Sequence, residues 1–538
     1  MNKLLRNNAL FILILILFTF KSVAQNILLN NDINNRIEGA ISKKNQRFHS
    51  EIKPFMLRNI DSIINIDSLL YPEINSKFTQ TLIGRKLLND NFLKVRKQGF
   101  TLTLDPVFNF EVGRDLNDSP VVWVNTRGVA LGGTIGKQFA FDTRFFENQA
   151  TFLYPIDSLI RRLGVIPGQG TYKGFKTDGF DYFMSEANIS YSPSRVFNFQ
   201  LGQGKNFIGD GYRSLLLSDA SFNYPYLKVT TDVWILKYTC TYAQFQDLRV
   251  HPYIGSSRDQ AHLKKYSVFH YLSAAITPSF TIGFFESVIW ASPDSTNNRG
   301  FEFSYLNPII FLRPVEETNG SSDNALMGMN SSLKIMPQIT LYTQFLLDEF
   351  KFEHIRARDG WWGNKYGFQI GAKGYEIFKI KGLSYRAEFN TVRPYTYSHN
   401  SSISNYGQYN QPLAHPQGAN FNELVIMLTY SPNRWTLAAK LIATKYGVDT
   451  NNLNLGGDIY KSYNTAYQEY GNKTTQGLKT NFLNNEIRCS YMLNPRNRMM
   501  LEAILSYRNL KNDRINQSSV YFGIAFKTSV SNLYYDFQ

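Results

Sequence analysis

Four stretches of the chain hold residue types that could do chemistry. The first is glycine-rich: Gly202-Gln203-Gly204-Lys205-Asn206-Phe207-Ile208-Gly209-Asp210-Gly211. A phosphate loop cradles its anion with backbone N–H groups and ends in Gly-Lys-Ser/Thr ahead of a helix. That ending is missing and no βαβ pattern surrounds the run. Its glycines are read instead as permitting positive φ in a segment that folds back over or into the structure. The second stretch, His399-Asn400-Ser401, sets a base two residues from a hydroxyl. Nucleophilic catalysis also needs a third, orienting group, and this polar, Ser/Asn-rich surrounding reads as a solvated loop. The third is Asp348-Glu349. Glycoside hydrolysis needs two carboxylates about 5 Å or more apart around one bond. Neighbours on a strand point to opposite faces, so these two read as structural charges at the outer end of a strand. The 7 His are scattered and no His, Cys and carboxylate set has metal-ligand spacing. No catalytic residue, metal site or cofactor is assigned, and the chain reads as a non-enzyme.

The fourth stretch pairs aromatic with basic residues. Arg356, Arg358, Trp361 and Trp362 share one polar segment (HIRARDGWWGNK), and Tyr395, Tyr397, His399, Tyr406, Tyr409 and His415 lie in the next. Rigid aromatic faces stack on the C–H surfaces of sugars, and guanidinium groups pair with carboxylates in bidentate fashion. The candidate glycan-binding residues are therefore Arg356, Arg358, Trp361, Trp362, Tyr395, Tyr397 and Tyr409. For Trp361 and Trp362, an interface girdle with packing between loops remains an equal reading.

The elements that must position these residues are strands. In KQFAFDTRFFE (137–147), Phe139, Phe141 and Phe145 share one parity, and Ala140, Asp142 and Arg144 the other. A strand's period of two sends these sets to opposite faces. Clear alternations recur at 183–191, 197–201, 383–389, 424–430, 435–443, 483–493, 499–507 and 520–526. Their second face carries Glu186, Asn188, Arg386, Glu388, Lys440, Glu486, Arg488, Glu502 and Arg508. Charge on that face is costly in lipid but suits a wet or plugged lumen. Proline-containing turns near 191–194, 277–279, 336–338, 431–433 and 494–497 join strands tightly and should face the periplasm. The long polar segments near 351–364, 391–421 and 446–480 should face outward. Residues 100–538, at about 24 per strand with its connection, give roughly 18 strands. The expectation is an all-β, antiparallel outer-membrane β-barrel. Near the end, Leu533, Tyr535 and Phe537 alternate out of phase with 520–526, so 528–532 reads as a turn or a bulge.

Residues 1–24 read as a signal peptide: Lys3 and Arg6, an apolar run over 9–20, then Ser22-Val23-Ala24. The run is shorter than the roughly 20 residues a membrane helix needs. Residues 25–99 are polar and Asn-rich, and 77–96 place Leu82, Leu87, Leu88 and Leu93 at helical spacing. They read as a small, partly helical periplasmic segment. Mean hydropathy is −0.28, as expected when each strand averages an apolar with a polar face. The 33 Tyr and 41 Phe would furnish aromatic girdles. Formal net charge is +15, three of it from Lys3, Arg6 and Lys21. For an exported chain this suggests acidic polysaccharide or lipopolysaccharide phosphate as partner rather than nucleic acid. A lumen and loops that merely avoid self-association would give the same balance. Cys240 and Cys489 both fall on apolar parity and read as small hydrophobes without a disulfide.

Taken in order, several pieces of the chain resemble the Wzi-type capsule-assembly family of outer-membrane barrels. The 202–211 run followed by Leu217-Ser218-Asp219 is similar to its signature segment, with Lys205, Asp210, Arg213 and Asp219 as the charged positions. Asp323-Asn324, Tyr342, Gln344, Asp348, Glu349, Glu388, Asn390, Arg393-Pro394, 409–416 and Gly418-Ala419-Asn420 continue the likeness. These pieces resemble the branch that includes the gliding-motility surface protein RemB of Bacteroidetes-type bacteria. The resemblance spans roughly 100–538 and departs at the end, where Gln538 follows Phe537 in place of a terminal Phe. It implies an outer-membrane barrel, in contact with membrane lipid, that retains surface polysaccharide without catalysing a reaction. Adhesion or gliding is the nearest variant. A diffusion channel would need an open lumen, and a membrane enzyme would hydrolyse lipid or glycan.

Overall fold

The computed structural model describes residues 24–117, 121–249, 262–292, 300–307, 323–529 and 531–537. The expected signal peptide lies outside the described residues except for Ala24. Eighteen antiparallel strands close into a barrel. They are β1 (Phe100–Asp115), β2 (Val121–Ile135), β3 (Phe139–Ala150), β4 (Gly179–Tyr191), β5 (Phe197–Gly204) and β6 (Tyr224–Val233). Next come β7 (Leu236–Asp247), β8 (Leu263–Ala275), β9 (Phe280–Ser292), β10 (Asn324–Met336), β11 (Ile339–Glu349) and β12 (Lys365–Tyr375). The last six are β13 (Leu383–Val392), β14 (Phe421–Tyr430), β15 (Trp435–Val448), β16 (Leu478–Asn494), β17 (Met499–Lys511) and β18 (Asn516–Thr528). β18 pairs with β1, Tyr521 opposite Asp115 and Lys527 opposite Asn109, which closes the ring.

Strand parity sets the two faces. On β14, Leu424, Ile426, Leu428 and Tyr430 are exposed while Glu423 and Val425 are buried; on β3, Phe139 and Phe145 are exposed and Ala140 and Phe146 buried. The outward residues form an apolar belt around the barrel, and the backbone of each spanning strand is paired. Hydrocarbon requires both features. The protein is an outer-membrane barrel. Cys240 and Cys489 are free and share outward parity with Leu236 and Ile487 respectively. Every proline turn named above lies at one end of the barrel, and the long segments lie at the other.

The segment before the barrel is partly helical, but it does not stand apart from it. Helix α1 (Asn31–Ser42) is capped by the Asn30 side chain, which accepts from the N–H groups of Asp32 and Ile33. It buries Ile33, Ile37 and Ile41 against Phe55, Ile60 and Ile66. This unit covers the tight-turn end: Arg58 donates to the Ser194 carbonyl (3.0 Å) and Asn35 to Ser384 (2.8 Å). Ile52–Lys53 then reaches into the lumen and pairs with Phe207–Ile208. The helical spacing read over 77–96 holds only for Leu82–Leu88. Leu93–Lys97 is a strand that pairs with β1 at 100–104, taking the edge that β18 leaves free below Asn109.

Candidate functional site

Besides Ile52–Lys53, three segments occupy the lumen beneath the outer loops. The 205–223 connection between β5 and β6 crosses it as a strap. Its charged residues are pins. Lys205 donates to the carbonyls of Gly168 (2.8 Å) and Asp219 (3.0 Å). Asp210 accepts from Lys373 (2.9 Å), Ser50 (2.6 Å) and Asn330 (3.0 Å). Arg213 meets Asp536 at 2.9 Å and Glu423 at 3.4 Å, while Asp219 accepts from Asn532 (2.7 Å) and Tyr534 (2.9 Å). Buried ions persist only when paired and hydrogen-bonded in this way. The glycines serve close approach more than positive φ. A Cβ on Gly211 would lie 2.3 Å from the Glu388 carboxylate, and one on Gly209 would lie 2.5 Å from the Gln344 amide. Only Gly209 in the 202–211 run has positive φ.

The second segment is the C-terminal tail. Neither a turn nor a bulge describes it fully. After β18 the described residues 531–537 run up inside the barrel. Asp536 accepts from Lys440 (2.6 Å) and Tyr212 (2.6 Å), and Arg508 donates to the carbonyls of Tyr535 (2.6 Å) and Phe537 (2.9 Å). The alternation of Leu533, Tyr535 and Phe537 is therefore not that of a wall strand. The third segment, 393–420, dips in from the outer end. Tyr397 and Tyr406 reach the strap and donate to the carbonyls of Leu215 (2.8 Å) and Leu216 (2.5 Å). A cavity of about 350 Å³ remains beside the tail, lined in part by Asn109, Tyr182, Lys440, Asn484 and Arg508.

Above this packed interior the outer loops brace one another. Trp362 N–H donates to the Glu469 carbonyl (2.9 Å), Gly471 N–H to Asp359 (2.8 Å) and Asn472 N–H to Gly360 (2.9 Å). The 350–364 and 449–477 connections are thus tied main chain to main chain. Asp359 accepts from the Trp361 N–H (3.0 Å) and meets His354 Nδ1 at 2.6 Å. The His354 ring stacks on Trp361 with centroids 4.8 Å apart; Trp361 meets Trp362 at 5.7 Å, and Trp362 meets Tyr463 at 4.8 Å. Tyr470 lies 5.8 Å from His354, and the Lys351 ammonium sits 4.8 Å above Trp361. Tyr467 and Tyr470 are exposed, and so are Arg356 and Arg358 at the end of the short helix Phe352–Ala357.

The seven glycan-binding candidates therefore separate. Arg356 and Arg358 are exposed, and Trp361 and Trp362 in the same loop are half-buried. Tyr395 is buried, edge-on to Trp362, with its hydroxyl donating to the Asn454 carbonyl (2.9 Å). Tyr397 is fully enclosed against the strap. Tyr409 packs on Phe222 at 4.6 Å. Tyr395 and Tyr397 thus brace the loops and offer no ring to a ligand. Sequence reading missed His354, Tyr463 and Tyr470; TAYQEYGN (465–472) holds the aromatic density, but nothing in it says which loop it meets. His399 is buried, contrary to a solvated loop, and burial beside the Lys365 charge pushes its ring down to about 4. The Ser401 N–H, rather than its hydroxyl, points to His399 Nδ1 (3.4 Å). Asp348 and Glu349 both lie within reach of Lys365, at 3.0 and 3.5 Å, across a bulge, as structural charges would. Among the described residues, no group of three or more His, Cys, Asp or Glu is arranged to hold a metal ion.

No protein-family model and no curated protein sequence matches this chain. Solved structures do. Wzi, an outer-membrane protein involved in group 1 capsule assembly in Escherichia coli and described as a carbohydrate-binding β-barrel, aligns with a TM-score of 0.53. Identity is 14%, covering 94% of this chain and all of that one. The fold is Wzi-like. Pseudomonas aeruginosa OprD aligns at 0.41, with 10% identity over 80% of this chain and 96% of that one. OccK8 (OprE) of the same organism also aligns at 0.41, with 10% identity over 81% and 99%.

Proposed function

We propose that this protein is a non-enzymatic outer-membrane barrel that binds or anchors acidic surface polysaccharide, in the manner of capsule assembly. The observation that carries the reading is the outer loop 350–364, which bears exposed Arg356 and Arg358 and, with Tyr470 of the neighbouring loop, the His354–Trp361–Trp362 aromatic cluster. Loops tied to each other through main-chain hydrogen bonds hold the cluster in place. Stacking surface and bidentate donors are what an acidic glycan uses. Exposed ion pairs are individually weak, about 0–1 kcal/mol, so retention comes from several contacts along a repeating chain. The fold's likeness to a barrel described as carbohydrate-binding agrees with this.

The strap, the tail and the dipping loop favour anchoring over a porin-like diffusion channel. Lipopolysaccharide is a second anionic ligand for the same arginines. A role in adhesion or gliding motility rests on the sequence resemblance alone. The test is binding of purified protein to an acidic polysaccharide, followed by tryptophan emission. Arg356→Ala, Arg358→Ala and Trp361→Ala together should abolish binding while the barrel still assembles. Each single change should weaken it modestly, and salt should weaken it further because exposed charges are screened beyond about 8 Å at physiological ionic strength. Unchanged binding by the triple variant would refute this site.

A further inference from the structure

Residues 78–97 carry an apolar surface that nothing among the described residues covers. Leu82 is 67% exposed, Ile83 65% and Phe92 62%, and Phe78, Leu87 and Leu93 are exposed as well. Leu82, Ile83 and Leu87 fall on one side of the helix Leu82–Leu88, and Phe78 lies in the 3-10 turn that precedes it. This surface is fixed at the tight-turn end of the barrel. Arg434, in the β14–β15 turn, donates to the Leu88 carbonyl (2.9 Å), and Asn494 donates to the carbonyls of Lys86 (2.9 Å) and Asp90 (2.8 Å).

Its orientation follows from register. Leu93 lies opposite Leu104, Val95 opposite Leu102 and Lys97 opposite Phe100. Cross-strand partners share a face. On β1 the even-numbered parity is the outward one, because Phe110 and Val112 are exposed while Asp105 and Val107 are buried. Leu93 and Val95 therefore stand on the lipid side, where the segment meets the membrane belt. The segment's polar rim is cationic. Lys77, Arg85, Lys94, Arg96 and Lys97 are exposed, and Asp90, paired with Arg85 at 3.7 Å, is the one carboxylate between 77 and 97.

We propose that residues 78–97 form a membrane-seated foot. The side chains of Phe78, Leu82, Ile83, Leu87, Phe92 and Leu93 enter the leaflet at the tight-turn end, and the cations meet anionic phospholipid headgroups. An amphipathic segment with a basic rim lies in the interface in this way. The foot fastens the helical unit, and through Ile52–Lys53 the luminal plug, to the same bilayer that holds the barrel.

The test uses the full chain in phosphatidylethanolamine nanodiscs with and without phosphatidylglycerol. A nitroxide is placed at Leu87→Cys in a Cys240→Ser, Cys489→Ser background. Its relaxation should respond to oxygen far more than to a soluble nickel chelate, as a probe at Ile426→Cys on the belt would, and opposite to one at Ser401→Cys on an outer loop. Omitting phosphatidylglycerol should raise nickel access about twofold or more; unchanged access would overturn the headgroup assignment. A Leu87 probe that behaves like Ser401, or that is shielded from both reagents as beneath a protein partner, would overturn the foot. Should the cysteine-free chain fail to assemble, Leu87→Trp in the otherwise unaltered protein replaces it. The added emission should be quenched by brominated phospholipid, and resistance to quenching would refute the proposal.

Discussion

Arg213 is the residue on which most of the interior converges. It joins the strap to β14 through Glu423 and to the tail through Asp536. Removing one member of a buried ionic set leaves its partners charged and unpaired, at a cost of about 3–5 kcal/mol. Arg213→Ala should lower the temperature at which the folded barrel converts to its slow-migrating, unfolded form on gels, and no change would mean the set is not closed in solution. His399 gives a second, pH-dependent prediction. Its ring titrates near 4 in the packed loop against about 6.5 when free. The unfolded loop therefore binds the extra proton between these values, and loop stability falls as pH drops from 6.5 toward 4, by on the order of 3 kcal/mol. Lys365, Asp323 and Tyr463 surround the ring. Protease nicking of the 393–420 loop should rise at pH 5 relative to pH 7, and His399→Gln should flatten that difference. Equal nicking at both pH values in the parent protein would contradict the burial.

At the scale of elements, strand parity makes the sharpest claim. Cys240 and Cys489 are unpaired and on the outward parity, but Cys240 packs against Tyr242, Trp290 and Tyr305, so an uncharged, membrane-soluble maleimide should label Cys489 more readily than Cys240 and a charged one should label neither. A disulfide in the mass spectrum, or labelling by the charged reagent, would reverse the assignment. Parity was legible because it depends only on neighbours two residues apart. Glu186, Arg386, Glu388, Lys440 and Glu502 take the inner face as their alternation requires, and the proline turns gather at one end. The strap, the tail and the 93–97 strand were not legible. Asp210 finds Lys373 and Asp219 finds Tyr534 across separations that no local period records, and the 93–97 strand is too short a hairpin arm to show a clear alternation. Tyr395 and Tyr397 show the same limit in the candidate site. Their composition matched a sugar-binding surface, but whether a ring in a long loop points out or down is set by what packs on it, the strap for Tyr397 and the 449–477 loop for Tyr395.

For the whole molecule, a closed barrel with a filled lumen predicts β-rich spectra, gel migration that changes on boiling, and only small conductance in planar bilayers. A helical spectrum, recovery in the soluble periplasm or porin-sized conductance would each contradict it. The formal charge of +15, or +12 without Lys3, Arg6 and Lys21, makes association with anionic partners dependent on ionic strength. The central claim is that this barrel holds acidic polysaccharide at the cell surface. It is tested most directly by measuring cell-bound against shed surface glycan in the parent strain, a deletion strain, and the deletion strain carrying the Arg356→Ala, Arg358→Ala, Trp361→Ala protein at matched levels of heat-modifiable barrel. The account predicts that glycan moves from the cells to the medium in both mutant strains. Glycan that stays cell-bound in the deletion strain would contradict it.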